Sequence, residues 1–446
     1  MSQADMLILN GMVLTVDDTG TFIENGALAI KGCKIAALGM AKDFQGWQAK
    51  ETYDAQGKLI MPGLVNAHTH LPMSLFRGLA DDLPLEQWLQ EHIFPAEAKF
   101  INSESVFAGT QLSVAEMLLS GTTTCCDGYF LAENVANAVS RTGLRAVLGQ
   151  GVIDYPAPGV ADPKDNIQVA KRFVQHWRER SPLIFPSIFC HASYTCSPET
   201  LQAAKAAADN LGVMFQIHVA ETRMEAQQCQ QTHGCSPVKY LARLGLLDRH
   251  SLLIHAVWVD EADIETIAHH NARVVHCPES NMKLASGISP VTRMLSDDIV
   301  VGLGTDGCAS NNDLDLFSEM DLTAKLQKVH QLDPTAMDAD TVVRMATIEG
   351  ARTLGLEQEI GSLEVGKQAD LIMIDFAQPH LTPMYHPQSH LVYAVKGSDV
   401  EDVMIGGQWV VRRRQLLTLD AASVVAEVRA LGFSIAGMQA PADSLC

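Results

Sequence analysis

His68 and His70 stand one residue apart at the end of the run LIMPGLVNAHTH. Residues i and i+2 of a strand project to the same side, so the two imidazoles would aim at one point. A metal ion uses such a pair, although a solvated loop after a core strand has the same spelling. Other strand ends decide between the two readings. His218 and Glu221 close the run FQIHVAE, His255 closes LLIH, and Asp306 follows VVGLGT. Burying several imidazoles and carboxylates without partners costs several kcal/mol, whereas one divalent cation satisfies them together. Nitrogen and oxygen donors without a thiolate favour Zn2+, with Fe2+ or Mn2+ also compatible.

These residues need a scaffold that gathers strand ends on one rim. From Leu59 to about Gly307, β-rich runs alternate with helical stretches such as SPETLQAAKAAADNLG, the mark of βα units around a parallel sheet. Eight such runs can be counted: KLIMPGLVNAHTH, TTTCCDG, RAVLGQGVID, LIFPSIFCHA, VMFQIHVAE, LLIHAVWV, ARVVHCPES and IVVGLGTDG. They predict an α/β fold of the TIM-type (β/α)8 barrel, whose chemistry lies at the carboxyl ends of its strands. Ahead of them, LILNGMVLTVDDTG and GALAIKGCKIAALG alternate apolar and other residues, and VGKQADLIMIDF and VEDVMIGGQWVVRRR do so behind them. Each piece alone would expose a sheet face, so the two predict a small β-sandwich built from both termini. The expected division is 1–58 for the N-terminal part of the sandwich, 59–360 for the barrel, and 361–446 for the C-terminal part and a terminal helix.

Composition narrows the partners. With 47% hydrophobic and 19% charged residues, the chain has the makeup of a compact globular protein rather than a disordered one. A net charge of −20 argues against nucleic acid as a partner and mildly against strongly anionic substrates. The amino terminus, MSQADMLILNGMVLTVDDTG, has no basic segment leading into a long apolar run. No stretch reaches the roughly 18 apolar residues of a membrane span, so a cytoplasmic location without membrane contact is expected. Ten cysteines occur without a Cys-x-x-Cys pair, which predicts reduced and mostly buried thiols.

PGLVNAHTHL, HVAET, IHAVW, HCPESNMKLASG, GLGTDGCASNN and VGKQADLIMID together resemble the amidohydrolase superfamily over nearly the whole chain. With LFRGLADDLPLEQWLQEHIFPAEAKF added, the sequence is most similar within it to the 5′-methylthioadenosine/S-adenosylhomocysteine deaminases. The resemblance implies a metal held by His68, His70, His218 and Asp306, and one ion per chain, because SIFCHA lacks the bridging lysine of two-metal members. It makes Glu221, His255 and Asp306 catalytic: Asp306 accepts a proton from the attacking water, His255 hydrogen-bonds that water or the tetrahedral intermediate, and Glu221 shuttles protons to the substrate.

Substrate contacts implied in the same way are Trp88, Glu97 toward ribose hydroxyls, His191 toward the purine edge, Glu221 and Ser310. Relatives that use S-adenosylhomocysteine well can contact its carboxylate through arginines in and after the third barrel strand. Here VLGQGVIDYPAPGVADPKDN has no arginine, with Gln150 at one such position and Asp162 near the other. Losing charge-assisted contacts favours a neutral substituent. The implied reaction is hydrolytic deamination of an adenine nucleoside, 5′-methylthioadenosine to 5′-methylthioinosine and ammonia ahead of S-adenosylhomocysteine or adenosine. A homo-oligomer, dimer or tetramer, is implied too. The alternatives are a guanine, cytosine or triazine aminohydrolase on the same scaffold, or a barrel without catalysis. A free-base enzyme has no need of Glu97, and a non-enzyme has no reason to retain every ligand.

Overall fold

The structure is a computed structural model and describes residues 3–437. Two compact units emerge. One takes the chain up to Asn66 together with Glu116–Thr124 and Asp315–Thr418; the other takes Ala67–Ala115, Cys125–Leu314 and the chain from Leu419 onward.

Both termini supply the first unit with a nine-stranded mixed sheet. At its centre the short strand Lys58–Pro62 runs antiparallel to Leu371–Asp375 and parallel to Gln3–Leu14, so one segment joins the N-terminal and C-terminal pieces. Outward on one side lie Val400–Ile405 and Gln408–Arg412, and on the other Phe22–Lys31 and Lys34–Met40. One apolar cluster gathers Ile8, Leu28, Ile60, Leu371 and Met404, and a second gathers Leu7, Ala29 and Phe44. The alternating terminal runs thus find the partners their exposed faces demanded.

The eight runs of the barrel form a parallel sheet in chain order: β1 (Leu64–Thr69), β2 (Thr122–Tyr129), β3 (Arg145–Val152), β4 (Ile184–Ala192), β5 (Phe215–Val219), β6 (Ser251–His255), β7 (Arg273–His276) and β8 (Val301–Leu303). Every residue of β1, β2, β3 and β5 is buried. Burial on both faces explains runs that lack the in–out alternation of a half-exposed strand. Just past β8, the Asp306 N–H donates to the His68 carbonyl at 3.0 Å and the Thr69 hydroxyl donates to the Asp306 carbonyl at 3.0 Å, which brings the last strand back to the first. Gly304 permits this approach, because a Cβ there would lie 2.8 Å from the His68 nitrogen.

One apolar run serves both sheets. Lys58–Pro62, which the sequence reading runs into the first barrel strand, belongs to the terminal sheet, and β1 begins only at Leu64. The switch falls at Gly63, where a Cβ would meet the Thr123 side chain at 2.1 Å. The helix Ala421–Ile435, expected with the C-terminal strands, falls in the unit that holds most of the barrel. Between strands the helices follow local signals: in SPETLQAAKAAADNLG the Ser197 hydroxyl accepts from the Thr200 N–H at 3.2 Å, and Gly212 ends the helix at φ +62°.

No disulfide joins the nine cysteines among the described residues, and eight of them are buried; Cys446 lies outside the described residues. Among the described residues no helix is long and apolar enough to cross a membrane.

Candidate metal and active site

β1 delivers His68 at its end and His70 just beyond it, β5 delivers His218, and the turn after β8 delivers Asp306. One ligand atom from each lies within 4.8 Å of all the others. His68 Nε2 stands 3.2 Å from His218 Nε2, and Asp306 Oδ1 stands 3.4 Å from His68 Nε2 and 3.2 Å from His70 Nε2. Burial lowers His68 to about 4 and His218 well below its ordinary value, so both imidazoles are neutral near pH 7 with lone pairs to offer. Burial works to raise the Asp306 carboxyl, yet hydrogen bonds with His68 and His70 hold it well below the usual carboxylate range. Three nitrogens and one carboxylate oxygen converging in a buried site fit a single zinc ion with room for a water.

The ligands are themselves held in place. The Ser280 and Ser310 hydroxyls each donate to Asp306 Oδ2 at 2.7 Å, leaving Oδ1 turned to the imidazoles. His70 Nδ1 meets the Gly128 carbonyl at 2.6 Å, so Nε2 faces the other donors. Such outer contacts fix ring orientation and tautomer in metal sites.

Beside the donors, His255 Nε2 lies 3.8 Å from Glu221 Oε2, and its Nδ1 meets Asn281 Oδ1 at 3.0 Å. Burial raises the Glu221 carboxyl above its ordinary value, although His255 opposes the shift. The buried Glu225 carboxylate accepts from the Ala220 and Glu221 N–H groups at 3.0 and 2.8 Å, which fixes the turn that carries Glu221. Ala220, His255, Ala256 and Asp306 all adopt positive φ between 44° and 75°. Non-glycine residues in this region cost of order 1–3 kcal/mol each and persist where surrounding structure over-determines them. Four of the sixteen non-glycine residues with positive φ among the described residues thus stand at the strand ends that carry the chemistry.

A pocket opens over these residues, lined by His70, His218, Glu221, His255, Asp306 and Ser310 on the barrel side. The segment after β1 supplies Trp88 and Glu97, and β4 supplies His191. The Trp88 indole N–H donates to the Ala80 carbonyl at 3.0 Å, which leaves the ring surface as its free feature. Glu97 is buried, accepts from the Tyr129 hydroxyl at 2.5 Å, and is pushed up to about 7 by burial. His191 Nδ1 meets the Thr195 hydroxyl at 3.0 Å, and burial lowers its ring to about 4.

The structure does not bring Gln150 to this pocket. Its strand neighbours Gly149 and Gly151 have Cβ positions that meet Phe189 and Phe130, side chains that line the strand-end side. Alternation turns Gln150 the other way. There its side chain accepts from the Ala132 N–H at 3.1 Å, the first helical residue after β2, and donates to the Gly151 carbonyl at 3.0 Å. Ser280, Asn281, Glu225 and Tyr129 went unassigned in the sequence. Ser280 and Asn281 stand inside HCPESN just past β7, and that rim position was the available signal.

The sequence pattern of the Amidohydrolase family matches residues 59–410, and the chain belongs to this family. The 5-methylthioadenosine/S-adenosylhomocysteine deaminase of Syntrophobacter fumaroxidans is 48% identical, over 97% of this chain and 99% of that one. A 5′-deoxyadenosine deaminase of Methanosarcina acetivorans is 42% identical over 96% of this chain and 97% of its own. Among solved structures, an adenosine deaminase from Xanthomonas campestris with bound zinc superposes with a TM-score of 0.96 at 39% identity, covering 98% of this chain and 100% of that one.

Proposed function

We propose that the protein is a zinc-dependent aminohydrolase that deaminates adenine nucleosides, 5′-methylthioadenosine before S-adenosylhomocysteine or adenosine. The observation that carries the reading is the placement of Glu221 and His255 on the same rim as the four-donor group, in one pocket with Trp88 and Glu97. Relatives named as deaminases of such nucleosides over nearly the full length support it.

A zinc ion held by His68, His70, His218 and Asp306 would supply Lewis-acid polarisation and lower the pKa of a water. The rest is work for side chains. Asp306 takes up the proton that the attacking water gives up. His255, with Nδ1 occupied by Asn281, turns Nε2 toward that water and toward Glu221. Glu221, whose burial favours the protonated form, gives its proton to the ring nitrogen beside the amino-bearing carbon as the C–O bond forms. The proton held by Asp306 then passes to the amino nitrogen, the hydroxyl on the tetrahedral carbon returns a proton to Glu221 as it becomes the carbonyl, and the C–N bond breaks with loss of ammonia. Trp88 supplies a ring surface, Glu97 accepts from ribose hydroxyls, and His191 faces the purine edge. With this reading go a cytoplasmic location, a homo-oligomeric state to be checked by light scattering, and no nucleic-acid partner.

The test is ammonia release, followed with ultraviolet spectra, from zinc-loaded protein given methylthioadenosine, S-adenosylhomocysteine, adenosine, guanine and cytosine side by side. Conversion of methylthioadenosine to the inosine analogue is expected. Turnover of a free base alone would sink the nucleoside assignment, and equal efficiency on S-adenosylhomocysteine would remove the stated preference. Glu97→Gln should raise KM for the nucleoside by about tenfold, the scale of one lost hydrogen bond to the ribose; an unchanged KM would point back to a free-base substrate.

A further inference from the structure

The pocket over the metal donors is tight, about 70 Å³, and it shares the walls Leu89, Phe94, Glu97 and Tyr194 with a groove of about 1540 Å³. Glu97 is the proposed contact to ribose, so a substituent on the 5′ carbon leaves the inner pocket on the side where these walls are shared. The groove therefore meets whatever distinguishes one 5′-substituted adenine nucleoside from another.

Its far wall is made by residues that otherwise lack a reason to be exposed. Tyr155, Met224 and Trp258 line it with 56, 55 and 39% of their surface exposed, and Tyr194, on the shared wall, is 39% exposed. Large apolar side chains grouped at a cavity mouth mark a binding surface rather than ordinary surface scatter. Two cations also line it, and they differ. Lys283 Nζ is already committed to Asp81 at 2.6 Å and to Asn312. Arg223, the first residue of the helix Arg223–His233, lies over the Trp258 ring with its guanidinium carbon 5.7 Å from the centroid, and among the described residues it pairs with no carboxylate. The Trp258 indole N–H donates to the Ser286 carbonyl at 2.6 Å, which holds the ring in place under the guanidinium. Glu86 also lines the groove, so it offers a carboxylate as well as a guanidinium.

We propose that Arg223, over the Trp258 ring, is the residue that recognises a carboxylate on the 5′ substituent, with Glu86 the partner for an adjacent ammonium. An amino-acid tail such as that of S-adenosylhomocysteine carries both charges; a methylthio group carries neither. Arg223 comes from the turn after β5, two residues beyond Glu221, and offers one guanidinium where relatives can use arginines in and after β3, so the tail is recognised while methylthioadenosine stays the better substrate. The inference rests on the nucleoside-deaminase reading above. A guanidinium presents its donors in one plane for a bidentate contact, which an ammonium cannot reproduce.

The experiment measures kcat and KM for methylthioadenosine and S-adenosylhomocysteine on zinc-loaded wild type, Arg223→Met and Arg223→Lys. In Arg223→Met the ratio of kcat/KM for S-adenosylhomocysteine to that for methylthioadenosine should fall at least fivefold, through KM, since the tail is remote from the reacting carbon. Arg223→Lys should recover part of that loss. A smaller change in the ratio, a parallel loss on both substrates, or wild-type turnover of methylthioadenosine with none of S-adenosylhomocysteine would overturn the assignment of Arg223 alone. A wild type that deaminates neither nucleoside would defeat the deaminase reading itself, and the inference with it.

Discussion

In the terminal sheet, Lys58 Nζ donates to Asp402 Oδ2 at 2.7 Å and to the Tyr53 hydroxyl at 2.6 Å, and it pairs with Glu401 as well. The Tyr53 hydroxyl donates to the same Asp402 oxygen, and the other oxygen accepts from the Arg413 N–H at 2.9 Å. At the barrel rim, His68, His70, His218 and Asp306 are as deeply placed, but the ion pairs of Asp306 are with imidazoles alone. Both are groups of polar side chains drawn wholly or largely out of water, with Glu401 left partly exposed. The first contains its own cation and spends every donor on an acceptor inside the group. The second is a set of acceptors and lone pairs that turn toward one another. Buried charge that closes on itself stabilises a fold, whereas buried charge that converges on a point calls for something from outside. Composition alone does not separate the two; the sign of the partners does.

The comparison breaks most visibly if one ligand is removed. Asp306→Asn should lose the metal, from about one ion per chain to a substoichiometric amount by elemental analysis, and turnover with it. Full occupancy in that variant would mean that the four donors are not the site. Glu221→Gln separates ligand from proton carrier: kcat should drop by about 10²- to 10⁴-fold, the range of general acid–base contributions, while metal content stays at wild type. The terminal sheet should answer in stability instead. Lys58→Met leaves Asp402 buried without its cation and should cost about 3–5 kcal/mol in denaturant unfolding, with metal content unmoved. Replacing both, Lys58→Met with Asp402→Leu, should recover much of that loss, because a matched apolar pair removes the desolvation cost on both sides. Chelation offers the converse, since it should abolish turnover and leave the terminal sheet folded. Smallest of the set, Ser280→Ala should weaken metal retention about 10- to 100-fold in competition with a chelator, the usual effect of removing an outer hydrogen bond to a ligand.

Much of the rim was legible because a strand repeats every two residues and a parallel barrel puts all its carboxyl ends on one side. His68 with His70, His218 with Glu221, and His255 each close an apolar run, and the eight runs in order make the barrel. The residues that stayed hidden act from elsewhere. Ser280 reaches Asp306 across 26 positions and Tyr129 reaches Glu97 across 32, distances over which spacing carries no signal. Glu225 is local to Glu221, yet a carboxylate four residues on reads as an ordinary helical surface charge until its backbone contacts are seen. Gln150 failed on parity: a shift of one position along a strand moves a side chain from the rim to the helix layer. The change of sheet at Gly63 was unreadable for a different reason, since LIMP and LVNAHT follow one another as a continuous buried run, and only the crowding by Thr123 reveals where one ends.

The course of the terminal sheet also bears on how the chain is made. Barrel strands pair with their successors, so each can find its neighbour soon after it leaves the ribosome. Lys58–Pro62 must wait for Leu371–Asp375, roughly three hundred residues later, a long-range pairing of the slow kind. Throughout that interval the nascent chain carries an apolar strand, LIMP, with one edge unpaired, which is the kind of surface that other chains can capture. Synthesis of the C-terminal strands, which pair in their turn as Leu371–Asp375 with Val400–Ile405, is what withdraws that edge from its surroundings.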